Sequence, residues 1–336
     1  MQKWDVEKLF SVPVINLGDY SQKEFNGIAT PKSMLTDILD SSIQVYDFDK
    51  AKLYDERHYY PEGQRILINK ALEFLPKNPK DLILDIGSGS GNSITAALGI
   101  FTNANILATD ISPSLLHILK TKLDENPANR GRVGLACLDV HQRLFKENTF
   151  DLVVGAAILH HLIDPRTAVI NALRAVKPGG AALFFEPFEY GCTILKIIHS
   201  MLLRESGLRP SNSQLEPKII DFLITLNNDY IFRSGASGGV KEITKELDDK
   251  WLFSRTFFEG IAKEMGLKRV LVYSNHTATL DTLFEDYMKQ NLWLGRGLKQ
   301  DALPSWAWEI IRDVDKSVTN EMKEDFLIEG TVILEK

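Results

Sequence analysis

Leu82-Ile83-Leu84-Asp85-Ile86-Gly87-Ser88-Gly89-Ser90-Gly91-Asn92 is the stretch that decides the fold. An apolar run ends in an acid, glycines alternate with serines, and helical spacing follows from Ser93 to Ile100. That order predicts a strand, a tight turn and a helix start. Glycine permits positive φ in the turn and a close backbone approach to a ligand. Glycines alone do not name the ligand, so the acids around them must decide it.

Working outward, strand and helix alternate from Asp81 on, the pattern of a parallel sheet with crossover helices. Strands are expected at Leu82 to Ile86, Asn105 to Thr109, Val133 to Leu138, Phe150 to Ala157 and Ala181 to Glu186. Pro113 stands near the start of a helix that runs to about Leu123, and Ile163 to Val176 is helical until Lys177-Pro178-Gly179-Gly180 stops it. Before this core, Ser11 to Asn16 reads as a short strand, and Ser33 to Leu39 and Gly63 to Leu75 as helices. After it, helices are expected at Gly191 to Leu203, Lys218 to Asn227, Ser254 to Met265, Thr279 to Gln290 and Trp306 to Lys323. Ser234 to Gly239 reads as the most flexible stretch. Lys268 to Tyr273 and Phe326 to Glu335 read as the last two strands.

In an open α/β sheet, ligands bind at the carboxyl ends of the strands. Acids stand at those ends: Asp85, Asp110, Asp139 and Glu186. Asp110 lies where a ribose-binding acid belongs, about twenty residues past the glycines. Asp139 stands further round, where an adenine amino group would donate to it. Asp85 precedes the glycines, where a carboxylate would repel a pyrophosphate and suit a cationic amino group. Ribose, adenine and an ammonium group together describe S-adenosyl-L-methionine. Tyr59 and Tyr60, beside Arg57 and His58, are further candidates to line a ligand site, and Tyr59 is counted with the cofactor residues.

At this point the chain resembles the class I S-adenosylmethionine-dependent methyltransferases. The matching residues are 84–91, 108–112 (Ala-Thr-Asp-Ile-Ser), 137–140 (Cys-Leu-Asp-Val), 150–154, 159–162 (Leu-His-His-Leu) and 173–180. The resemblance implies an α/β fold: a seven-stranded Rossmann-like sheet with helices on both faces, its last strand antiparallel beside the sixth. It also implies that Gly87, Ser88, Gly89 and Gly91 approach the methionine part and the sugar, and that Asp85 helps hold the amino group. Asp110 would take the ribose hydroxyls, with Ile111 against the adenine. Asp139 and Val140 would flank the adenine amino group, and Ala156 would face the methionine part.

The chain then divides into an N-terminal helical cap (1–80), a cofactor-binding core (81–190), a helical lid insertion (191–254), a core helix with strand six (255–274), a second helical insertion (275–325) and the last strand (326–336). The additions are expected to form a lid that selects a small-molecule methyl acceptor, with O- or N-methylation favoured. A protein or RNA methyltransferase, and a non-catalytic cofactor-binding partner subunit, are the alternatives. If the acceptor is a hydroxyl, a base is needed, and His160, His161 and Glu186 are the candidates, with His199 and His276 behind them.

Composition limits the rest. A net charge of −6 over 336 residues gives no support for a nucleic-acid partner. No apolar run is long enough to span a bilayer, and the first residues lack the apolar block of a signal peptide. Two distant cysteines, Cys137 and Cys192, make neither a disulfide framework nor a metal cluster, so no metal is expected and a cytoplasmic setting fits. The additions leave a homodimer open.

Overall fold

The computed structural model describes residues 5–39, 47–126, 129, 131–235, 248–276, 279–296, 298–299 and 302–336. Its strands are β1 (Val14–Asn16), β2 (Ile28–Pro31), β3 (Leu82–Ile86), β4 (Asn105–Asp110), β5 (Val133–Cys137), β6 (Phe150–Ala156), β7 (Val176–Pro187), β8 (Ser234–Gly235), β9 (Trp251–Leu252), β10 (Arg269–Ser274) and β11 (Glu329–Glu335). One nine-stranded sheet has the order β1-β2-β5-β4-β3-β6-β7-β11-β10, and β8 and β9 pair separately. The expected seven strands are the run from β5 to β10. The late strand β11 lies between β7 and β10 and runs against both. Lys336 exchanges bonds with Gly179 and Gly180, while Ile328 O accepts from Phe188 N. Lys268 N likewise donates to Glu335 O, and Asn275 N to Glu329 O.

Seven strands were expected in the sheet, and nine are present in it among the described residues. β1 and β2 are antiparallel to each other, and β2 lies parallel to β5 with Ile28 opposite Leu135. They cover the edge of β5, which would otherwise present unpaired backbone groups. Ile28-Ala29-Thr30-Pro31 is too short to show a period in sequence, so the pairing decides it. A second difference lies at Lys177-Pro178-Gly179-Gly180, expected to be a stop and found inside β7. Phe150 pairs with Val176 and Leu152 with Ala181, so these residues bulge out of the ladder, with Gly179 at φ 77°. A third is the expected helix from Trp306 to Lys323, which is two helices, Ser305–Ser317 and Asn320–Asp325, with Thr319 capping the second. Ser234 and Gly235 form β8, and the rest of the expected flexible stretch lies outside the described residues.

The chain forms two compact units. The first comprises residues 1–185, 258–271 and 331–336 and holds the sheet from β1 to β6 with most of β7. Its inner strands are buried on both faces: Ile83, Ile106, Leu107, Leu152 and Val153 are all 0% exposed. Each such side chain contributes roughly 1.5–3 kcal/mol on burial. The second unit comprises residues 186–257 and 272–330. Helices Glu189–Leu208, Pro217–Phe232, Leu283–Arg296 and Ser305–Ser317 close there on a core of Leu195, Ile198, Leu223, Phe284 and Ile311. No described helix is long and apolar enough to cross a membrane.

Candidate cofactor site

Register brings the acids together. Asp85 pairs across with Ala108, Ile86 with Thr109 and with Gly155, and Asp110 with Cys137. Asp85, Asp110, Asp139 and Ala156 therefore lie at one end of the first unit's sheet, the end at which parallel strands give onto their loops.

The loop between β3 and the helix Asn92–Ile100 runs through three positive-φ glycines, Gly87 at 68°, Gly89 at 50° and Gly91 at 106°. The three differ in what surrounds them. A Cβ at Gly87 would lie 2.4 Å from Ile158 Cγ1, and one at Gly91 would lie 2.5 Å from Leu119 Cδ1. A Cβ at Gly89 would meet nothing within 4 Å. The loop is thus packed at both ends and open at its middle. Ser88 turns inward: Thr109 N donates to its hydroxyl oxygen at 3.0 Å, and the hydroxyl itself donates to Asp85 O at 3.3 Å. Its side chain ties β3 to β4.

Asp110 fixes the open middle. Its Oδ2 accepts the Gly89 N–H at 2.8 Å and its Oδ1 the Ser112 N–H at 2.8 Å. Each oxygen keeps a further lone pair. Burial pushes this carboxyl above its ordinary value, against the pull of those backbone donors. Asp85 is 2% exposed, and its Oδ2 accepts the Ser93 hydroxyl at 2.8 Å. Burial, and to a lesser degree the nearby charge of Asp110, pushes it up to about 7, offset in part by the serine hydroxyls. Two buried acids held back from ionising suit a ligand that brings donors or a positive charge.

Beyond β5, Asp139 accepts on Oδ1 from His141 N at 2.9 Å, and His141 Nδ1 lies 2.6 Å from the same oxygen. Burial disfavours the Asp139 charge, but the His141 bonds outweigh it and hold the carboxyl below its ordinary value. The same pairing raises His141. Ile111 and Val140 are half-buried, and Ile111 O faces Cys137 Sγ at 3.4 Å. Past β6, Ala156 is half-buried and Ala157 is exposed with φ 53°, a left-handed backbone that an alanine adopts at a cost. Its N–H reaches Phe185 O at 3.0 Å.

His160 and His161 follow on the 3-10 turn Leu159–His161, their ring centroids 4.1 Å apart. His160 is 8% exposed. Glu186 is 2% exposed and belongs to the second unit. His199, also in that unit, is buried between Asn227 Oδ1 at 3.0 Å and Met288 Sδ at 3.2 Å. Burial pushes it down to about 4, so it is a neutral core histidine. Both cysteines are buried, and burial raises both thiols.

Tyr59 stands beside the glycine loop. Its hydroxyl lies 3.0 Å from Thr95 Oγ1, and Lys122 Nζ sits 3.2 Å from its ring centroid. Residues not foreseen from sequence hold it there. Asn92 accepts from Tyr60 N at 2.7 Å and donates to His58 O at 2.9 Å. Lys122 pairs with Asp55 at 2.5 Å and donates to Ser90 O at 3.2 Å. The helix Phe48–His58, itself not foreseen, is thereby fastened to the loop. The position of Asn92, first after the last glycine, is the one sequence signal that could have pointed to this.

Residues 84–184 match the family described as a methyltransferase domain. Over 143 residues the chain is 27% identical to the malonyl-[acyl-carrier protein] O-methyltransferase of Marinomonas sp., covering 41% of this chain and 48% of that protein. Over 151 residues it is 30% identical to the ubiquinone/menaquinone biosynthesis C-methyltransferase of Cupriavidus necator, covering 42% of this chain and 60% of that one. The chain thus spans about half the length of these relatives. Among solved structures, a Haemonchus contortus phosphoethanolamine N-methyltransferase 2 complex shares 17% identity at a TM-score of 0.49, covering 97% of this chain and 68% of that one. Residues 84–184, which run from β3 almost to the end of β7, thus match a methyltransferase domain, and the sheet order and the buried acids at its strand ends accord with that match.

Proposed function

We propose that the chain binds S-adenosyl-L-methionine and transfers its methyl group to a small or medium organic acceptor, at oxygen or nitrogen. The observation that carries the reading is Asp110, a buried carboxylate that pins the Gly89 amide and retains lone pairs for a diol. Asp85 offers a buried carboxylate near it, and Gly89 leaves the loop open for a ligand. When bound, the cofactor supplies a sulfonium methyl: the acceptor lone pair forms the new bond to carbon, and the C–S pair returns to sulfur.

The chain's own task is to position both reactants and keep water out. For a hydroxyl acceptor, His160 and His161 are the proposed bases, with Glu186 a third candidate. We assign acceptor selection to the largely helical second unit. The relatives named as O- and C-methyltransferases support methyl transfer and differ in the atom they methylate.

The test is incubation with methyl-labelled cofactor and a panel of carboxylic acids, phenols, amines and carrier-bound acyl groups. Label on oxygen or nitrogen of a small acceptor supports the proposal. Label only on added protein or RNA would favour the macromolecular alternative. Cofactor binding with no turnover until a partner is supplied would favour the non-catalytic subunit.

A further inference from the structure

We propose that His141 is a positioning residue that decides which purine base the site accepts, by holding Asp139 so that its second oxygen receives an adenine amino group. The inference rests on the cofactor reading above. It starts from the two ring nitrogens of His141. Nε2 accepts the backbone N–H of Asp164 at 3.2 Å. A ring nitrogen that accepts carries no proton, so in the neutral imidazole the proton is on Nδ1 and the 2.6 Å contact is a bond donated to Asp139 Oδ1.

The surroundings make this arrangement rigid. Asp164 caps the helix Pro165–Ala175, its Oδ1 accepting from Thr167 N at 3.0 Å and its Oδ2 from the Thr167 hydroxyl at 2.6 Å. Asn171 on the same helix donates to His141 O at 2.9 Å and to Val140 O at 3.3 Å. The turn from Asp139 to His141 is thus fastened to that helix through ring and backbone together.

Among the described residues, the bonds to the Asp139 carboxylate all fall on Oδ1. The side chain is 29% exposed, and Oδ2 carries none of those bonds. Pinning one oxygen fixes the direction of the other. A carboxylate oxygen only accepts, so it bonds an exocyclic amino group and repels a carbonyl in the same place. Without the His141 ring, Oδ1 keeps only the backbone N–H of residue 141, the carboxylate is less firmly oriented, and the distinction between the two bases weakens.

The test uses the full chain and two probes, S-adenosylhomocysteine and its inosine analogue, in which the purine amino group is replaced by a carbonyl. Both are titrated calorimetrically into wild type and variants. Wild type is expected to prefer S-adenosylhomocysteine by about 100-fold or more. His141→Ala is expected to narrow that preference to about 10-fold or less, by weakening S-adenosylhomocysteine and not the analogue. His141→Asn, whose Nδ2 stands where Nδ1 stood and donates to Oδ1, is expected to keep most of it. If melting shows His141→Ala to be unfolded, His141→Gln takes its place, because its amide reaches the Nε2 position and leaves Oδ1 without a side-chain donor, with only the backbone N–H of residue 141.

Equal weakening of both probes, or an unchanged ratio in the variant that loses the ring donor to Oδ1, would overturn the role of His141. A wild type that binds both probes equally would overturn it too. A wild type that binds neither probe would remove the cofactor reading, and this inference with it.

Discussion

The Gly89 amide donates to Asp110 Oδ2 at 2.8 Å, across a separation of 21 residues in sequence. One bond joins the middle of the glycine loop to the end of the neighbouring strand, and the same carboxylate faces the ligand in the proposed reading. Replacing Asp110 by Ala removes that tie and the paired acceptor at once. Affinity for S-adenosylhomocysteine is expected to fall by about 1–3 kcal/mol, roughly 5- to 150-fold. Unchanged affinity in a calorimetric titration would mean that the ribose assignment is wrong.

Two glycines of the loop separate folding from binding. Gly89→Ala places a methyl in open space and costs only the left-handed backbone, about 1–2 kcal/mol. Its melting temperature is expected to fall slightly while cofactor affinity drops steeply, because the methyl occupies the ligand's approach. Gly87→Ala adds a collision with Ile158, and is expected to lose about 3 kcal/mol or more of stability. Thermal melts and titrations of the two variants side by side should show these opposite balances; equal losses of stability would contradict them.

Asp85 gives the first unit a pH signature. Its folded value of about 7 lies above its ordinary value of 3.8, so the folded chain holds this proton more tightly than the unfolded chain. The associated stability is full below about pH 4 and is lost as pH rises to about 7. Asp85→Asn keeps the shape and cannot ionise. Unfolding free energies of the variant from urea titrations should overtake those of wild type progressively across that window, by on the order of a few kcal/mol at its upper end. Parallel curves would show that burial does not hold Asp85 protonated.

In the second unit, Asp315 is 4% exposed and receives the N–H groups of Phe284 at 3.1 Å and Glu285 at 3.0 Å, with Lys323 Nζ at 3.2 Å. Lys323 is 1% exposed and also donates to Leu280 O at 2.7 Å. Asp315→Ala leaves a buried ammonium and two helix-end donors without this acceptor. A loss of about 3–5 kcal/mol is expected in denaturant unfolding. Asp315→Leu combined with Lys323→Met should recover much of it, and a double variant as unstable as the single would contradict the ion-pair explanation.

These particulars show what sequence could carry. β3 falls at Leu82 to Ile86 as read, because an apolar run broken only by Asp85 and bounded by a charged stretch and a glycine has few other ways to fold. The acids at the strand ends were legible for a similar reason: a parallel sheet places every strand's carboxyl end on one side. Side-chain ties between distant segments were not. Lys122 looks like a solvated helix lysine, yet it bonds Asp55, 67 residues earlier. The role of His141 depends on a turn that brings its ring back to Asp139, and on a helix cap 23 residues on. β2 was missed because its pairing with β5, and not its composition, makes it a strand.

The most direct measurement is a calorimetric titration of the purified chain with S-adenosylhomocysteine and, separately, with NADH. Saturable binding of S-adenosylhomocysteine at one site per chain, with no heat from NADH, is the expected result. Binding of NADH alone would contradict the cofactor assignment.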